Sequence, residues 1–210
     1  MKFSAVILAG GESRRMGCDK ASVEVHGESL LSRAVATARR AGASEVFISG
    51  RRGAAYSDLD CRVLFDLKPG RGPLSGIERA LDVARFPMLL VLAVDLPRMT
   101  ATFLRKLISR CDEHAGVVPK CRNELEPLAA FYPKHCLALV VSALATKRLA
   151  AREFAEACLG AGAVSVFHVS PPDHSRFTNC NAPEDLPRAA PRRSRRRGLA
   201  IRLGGHGKID

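Results

Sequence analysis

Thirteen residues near the amino terminus, Leu8-Ala9-Gly10-Gly11-Glu12-Ser13-Arg14-Arg15-Met16-Gly17-Cys18-Asp19-Lys20, combine glycines with a cluster of cations. Glycine lets a backbone come close to a bulky group, and clustered cations need an anion, so the stretch predicts a phosphate-bearing ligand. It is not a P-loop, because five residues separate Gly11 from Gly17 and Cys18 stands where that motif has lysine; G-x-G-x-x-G is absent too. Farther on, Asp66 precedes a second glycine stretch (Gly70, Gly72, Gly76), and Asp95 precedes Leu96-Pro97. Two carboxylates, a cation group and two glycine loops suit a magnesium-bound nucleotide. The amides of Ala9, Gly10 and Gly11 would face phosphates, Arg15 and Lys20 would balance charge, and Asp95 would hold Mg²⁺, a hard ion that takes carboxylate and phosphate oxygens together. An aspartate behind a strand also serves as an ordinary helix or turn cap, and Arg14 as a solvated neighbour of Arg15; those readings stay open.

These groups meet only if the chain puts them on one edge. Apolar runs at 4–9, 45–49, 62–65, 87–94, 116–119 and 163–169 are short, mostly rich in β-branched residues and bounded by turn formers, and they predict strands. Helical spacing links Leu30, Leu31, Ala34, Val35, Ala38 and Ala41, with Gly42 as a stop. The same spacing links Leu74, Ile77, Leu81 and Ala84, and Thr100 caps a third helix bearing Phe103, Leu104, Leu107, Ile108 and Cys111. Residues 134–160 predict further helix, divided near Thr146. The run 87–94 is apolar on both faces, as a covered central strand must be, so the expectation is a three-layer α/β/α domain on a mostly parallel sheet. In such sheets ligands bind beyond the carboxyl ends of the strands, and every conspicuous loop here follows a strand.

The chain of 210 residues is long enough for one sizeable core. No apolar run approaches the length of a membrane span and the first strand begins too early for a secretory signal, so a cytoplasmic protein without membrane contact is expected. Seven scattered cysteines without a C-x-x-C pair indicate neither a disulfide framework nor a zinc ribbon; Cys111 and His114, three apart on the third predicted helix, read as ordinary positions rather than metal ligands. The net charge of +12 is uneven: residues 188–210 hold eight Lys/Arg against Asp210 alone. The expected organisation is a domain over 1–187 and a basic, disordered tail over 188–210, solvated or touching an acidic partner. No aromatics interleave its arginines, which disfavours nucleic acid.

The segment 8–20 resembles, at every defined position, the signature L-A-G-G-x-S-x-R-M-G-x-D-K of nucleotidyltransferases of the molybdenum cofactor guanylyltransferase family. The resemblance extends in family order through Asp66–Gly76 (D-x-x-x-G-x-G-P-L-x-G), Asp95-Leu96-Pro97, Pro127–Tyr132 (P-L-A-A-F-Y) and Asn179–Leu186 (N-x-N-x-P-E-D-L). It implies a Rossmann-like, nucleotide-diphospho-sugar-transferase-type fold and an enzyme that joins GMP from GTP to molybdopterin, releasing pyrophosphate. The nucleophile, a terminal phosphate of the pterin, is already ionised, so no general base is needed and repulsion between polyanions is the obstacle.

The resemblance implies Lys20, Arg15 and Asp95 as catalytic, with Asp95 as metal ligand. It implies Leu8, Ala9, Gly10, Gly11, Lys20, Ser49, Asp66, Gly72, Pro73, Leu74 and Asp95 for the nucleotide, and Asn179 and Asn181 for the acceptor, although both asparagines also suit simple turns. Two departures stand out: Ser49 occupies a position where the family often has asparagine, which weakens the choice of guanine, and Val94 replaces a cysteine or small residue before the aspartate. The alternatives are a CTP-dependent cytidylyltransferase, another nucleotidyltransferase with a sugar-phosphate acceptor, or a non-catalytic protein that delivers cofactor to a molybdoenzyme or insertion partner.

Overall fold

In the computed structural model, described for residues 1–10, 24, 25, 27–51, 56, 59–65 and 70–180, the chain alternates strands and helices. The elements are β1 (Phe3–Leu8), β2 (Glu24–Val25), β3 (Glu28–Ser29), α1 (Leu30–Ala41), β4 (Glu45–Gly50), β5 (Arg62–Phe65), α2 (Pro73–Val83) and β6 (Met88–Ala93). They continue with α3 (Ala101–Ile108), β7 (Gly116–Cys121), β8 (Glu124–Leu125), β9 (Ala129–Pro133), α4 (Leu137–Ala145), α5 (Ala151–Gly160) and β10 (Val164–His168).

The main sheet runs β10-β7-β9-β6-β1-β4-β5, with β8 hairpinned onto β7. Pairs β6/β1, β1/β4, β4/β5 and β7/β10 are parallel, and β9 runs antiparallel to β6 and β7. The six predicted strands are all present. Strand β9 was not foreseen from the period, because Ala129 to Pro133 is buried on both faces and shows no alternation. The β7–β8 hairpin was also missed: its turn is Arg122-Asn123, at φ 49° and 75°, where a sequence reader looks for Asn-Gly.

Helices cover both faces, so the apolar side chains divide into two cores. Helices α1 and α3 pack on one face through Leu30, Ala34, Phe103 and Leu107; α2, α4 and α5 cover the other through Leu74, Ile77, Val140 and Phe154. Strand β6, MLLVLA, lies between them and is buried throughout. Two local signals behave as read, the Gly42 stop and the Thr100 cap, and the structure adds a cap at Ser29. The Ser29 hydroxyl accepts the Ser32 amide at 3.1 Å to start α1, and Gly42, at φ 108°, stops it with its N–H on Arg39. Thr100 caps α3 on the Phe103 amide.

Helix α3 ends at Ile108, so Cys111 and His114 sit in the following turn and not on a helix. The Cys111 thiol donates to the Leu107 carbonyl at 3.7 Å. Burial, aided by the Asp112 charge, pushes its pKa up to about 12. The six described cysteines are all free thiols. No helix among the described residues is long and apolar enough to cross a membrane. The tail, 188–210, lies outside the described residues.

Candidate functional site

The chain leaves β1 for β4 and β5 on one side of the sheet, then returns to β6 on the other side of β1. The crevice beyond β1 and β6 is therefore the switch point where an open α/β sheet takes ligands. Leu8 pairs with Ala93 in register, and the Val94 amide donates to the Leu8 carbonyl at 3.2 Å. The residues that follow, Ala9-Gly10 and Asp95, thus leave the sheet side by side on strands roughly 4.8 Å apart. On the other flank Ser49 is the last residue but one of β4 and is buried. Gly10, Ser49 and Asp95 share this edge, and the glycine turn Gly72-Pro73 opens α2 above it.

Several residues act differently from the expectation. The Ala9 amide donates to the Ser49 carbonyl at 2.8 Å, so it is engaged within the sheet and is not free to face a phosphate. Leu74 is wholly buried in the core beneath α2, where it anchors the Gly72-Pro73 turn rather than facing the sheet edge. Gly72, at φ 63° and ψ −157°, holds a conformation that only glycine adopts readily, and Pro73 takes the first helical position, where its missing N–H costs nothing. Pro127–Tyr132 is a structural device: the buried Tyr132 hydroxyl donates to the Pro127 carbonyl at 3.0 Å and ties β9 to its own entry turn.

The late chain also reaches this edge. The Cys180 amide donates to the Asp95 carbonyl at 2.9 Å, which brings exposed Asn179 next to the end of β6. Gly11, Arg15, Lys20, Asp66 and Asn181 lie outside the described residues.

Three further residues shape the site: Gly76, which closes the second glycine stretch, and Tyr56 and Glu126, which carry no signal in the sequence pattern. Gly76 lies against Ser49 and Leu8, where a Cβ would overlap the Ser49 hydroxyl. Tyr56 folds its ring over Gly50, a Cβ at which would stand 2.5 Å from the ring, and its hydroxyl accepts the Arg51 amide at 3.0 Å. Glu126, at the turn into β9, is half-buried; burial first, then the Glu124 charge, push its pKa up to about 7. Each depends on a contact between segments distant in the chain or on a turn that no period marks.

Asp95 follows β6 by two residues and carries a hard carboxylate of the kind a divalent ion takes. No group of three or more His, Cys, Asp or Glu among the described residues is placed to enclose a metal. An ion here would complete its shell with phosphate oxygens and water, which suits Mg²⁺ better than a metal that needs a protein cage.

A mostly parallel sheet covered on both faces, with Gly10 and Asp95 leaving adjacent strands at the switch point, is an α/β domain of the kind that takes a ligand at that edge, and its family match makes it a nucleotidyltransferase. Residues 5–161 match the family model of the MobA-like NTP transferase domain, and the chain belongs to that family. It is 35% identical over 189 residues to a probable molybdenum cofactor guanylyltransferase of Opitutus terrae, covering 89% of this chain and 94% of the relative. It is 32% identical over 192 residues to the molybdenum cofactor guanylyltransferase of Xanthomonas euvesicatoria, covering 89% and 93%. Among solved structures, the molybdopterin-guanine dinucleotide biosynthesis protein A of Archaeoglobus fulgidus superposes with a TM-score of 0.68 at 23% identity, over 87% of this chain and 94% of that one.

Proposed function

We propose that this nucleotidyltransferase transfers GMP from GTP to molybdopterin and releases pyrophosphate. The observation that carries the reading is the register of β1 with β6, which brings the start of the glycine loop and Asp95 to neighbouring strand ends, in a chain whose relatives are named molybdenum cofactor guanylyltransferases.

The residues divide the work by charge. Gly10 and Gly11 let the backbone approach the triphosphate, and Arg15 and Lys20 take up the negative charge that gathers on the leaving pyrophosphate. Asp95 is the proposed ligand of Mg²⁺; when bound, that ion neutralises phosphate oxygens and orients the α-phosphorus. Ser49, Asp66 and the Gly72-Pro73 turn hold the nucleoside on the β4/β5 side, while Asn179 and Asn181 serve the acceptor on the β6 side. No proton abstraction is required, because the attacking phosphate is ionised at neutral pH. Work of this kind on soluble substrates fits a cytoplasmic enzyme, with a molybdoenzyme or insertion protein as recipient of the product.

The test is pyrophosphate release by the purified protein with Mg²⁺ and molybdopterin, comparing GTP with CTP. Release with GTP supports the proposal; release with CTP alone refutes the guanylyl assignment.

A further inference from the structure

Glu126 lies in the turn between β8 and β9 with its backbone held on both sides. Its amide donates to the Pro119 carbonyl at 2.8 Å, and its carbonyl accepts the Ala129 amide at 3.2 Å. The same turn is bonded to β6 through Ala93 N–H on the Leu128 carbonyl at 2.7 Å, two residues before Asp95. Because β9 is antiparallel to β6, its entry turn sits at the carboxyl edge of the parallel strands. Glu126 therefore borders the crevice on the side of Asp95 opposite Ser49 and Gly72.

Its carboxylate differs from other shielded acids of this protein. Glu45 takes the Ser4 hydroxyl and two Arg85 donors, and Asp173 takes Arg176, Ser170 and Lys106. Glu126, half-buried, has no hydrogen-bond or ion-pair partner among the described residues, and the charge that acts on it is that of Glu124, of like sign. A carboxylate partly removed from water, without donors and beside another, is unfavourable unless something else brings the donors.

We infer that Glu126 binds the acceptor, its carboxylate receiving two adjacent N–H donors from a 2-amino-4-oxopyrimidine ring such as a pterin presents. A planar pair of N–H groups matches the two carboxylate oxygens. The inference rests on the transfer proposed above, which makes a pterin the second substrate. Guanine offers the same donor pair, but the strand order puts the nucleoside residues on the far side of Asp95 and leaves the β9 side to the acceptor.

The experiment compares wild type, E126A and E126Q in steady-state turnover with GTP, molybdopterin and Mg²⁺, after circular dichroism shows that each variant is folded. The expected result is a KM for molybdopterin raised about 10- to 100-fold in E126A, as for loss of charge-assisted hydrogen bonds, and less in E126Q, which keeps one acceptor oxygen. KM for GTP stays within about twofold, because the nucleoside side is untouched. An unchanged KM for molybdopterin overturns the inference while GMP transfer stands, and a rise confined to KM for GTP reassigns Glu126 to guanine and overturns it as well. If the wild type transfers no GMP, the proposed reaction itself fails. Fluorescence titration with 6-hydroxymethylpterin then decides on Glu126: binding by the wild type that is lost in E126A supports a pterin contact, and equal binding or none by the wild type refutes it.

Discussion

Replacing Gly76 by alanine sets two known effects against each other. Gly76 is inside α2, and alanine there gains about 1 kcal/mol of helix propensity. The added methyl group, however, has no room. Its carbon would stand 2.9 Å from Leu8 Cδ2 and 2.9 Å from Ser49 Cβ, and closer still to the Ser49 hydroxyl. Carbon–carbon contacts are comfortable at about 3.5–4.0 Å, so the neighbours must retreat by roughly 0.6 Å or more. The hydroxyl can rotate, but Ser49 Cβ is fixed to β4, which is hydrogen-bonded between β1 and β5. Either α2 lifts or the strand end bends.

Overpacking costs about 1–3 kcal/mol, and with Ser49 Cβ fixed to the sheet the upper part of that range, about 2–3 kcal/mol, applies; after the propensity gain of about 1 kcal/mol, G76A is expected to lose about 1–2 kcal/mol net. For a chain of this size that is a fall in Tm of about 2–8 °C. Because the strain falls on Leu8 and Ser49, beside the proposed nucleoside site, the KM for GTP should rise severalfold, as misplaced binding groups cost affinity. Thermal unfolding followed by circular dichroism and steady-state kinetics with GTP read the two effects. The double variant S49G/G76A, which removes the opposing Cβ, should show a coupling energy of about 1 kcal/mol in the favourable direction. A Tm for G76A equal to or above wild type would refute the reasoning, since propensity alone would then have decided the outcome.

The other predictions concern charge. Lys20→Ala and Asp95→Asn are each expected to lower kcat by about 10²–10³, the usual loss when one partner of transition-state charge is removed; pyrophosphate release measures it, and wild-type turnover in either variant contradicts its role. Burial of Glu45 favours its protonated form, but hydrogen bonds from Ser4 and Arg85 and the Arg85 charge outweigh this and hold its pKa below the ordinary 4.5. The stabilisation it supplies is present above pH about 4.5 and is lost as pH falls through its lowered folded value. S4A should cost about 1 kcal/mol in urea unfolding at pH 7 and less under acid conditions; the same cost at every pH would count against the ion-paired reading. Glu126 has the opposite sign: its raised pKa makes it neutral to stability at low pH and destabilising as pH rises through about 7. E126Q should therefore raise Tm relative to wild type at pH 8 and not at pH 4.5. Deletion of 188–210 should leave turnover in vitro nearly unchanged, and a collapse of activity would make the tail part of the site.

Much of this protein was legible in one dimension because the signals are local. Helix α1 shows its spacing and its Gly42 stop within thirteen residues, and a strand apolar on both faces, such as β6, says by itself that helices cover it. The glycine–cation segment and the aspartates after strands suggested a phosphate-bearing ligand from residue type alone. Tertiary structure decided what depends on which strands become neighbours. The register of Leu8 with Ala93 brings Gly10 near Asp95, and the pairing of β1 with β4 on the other side engages the Ala9 amide with Ser49, which residue type could not reveal. Gly76 matters because of residues 27 and 68 positions away, and Glu126 because an antiparallel β9 turns its entry loop to the ligand edge. Periodicity records which face of an element is buried; it carries no information about what lies on the other side of the contact, and the site is made of such contacts.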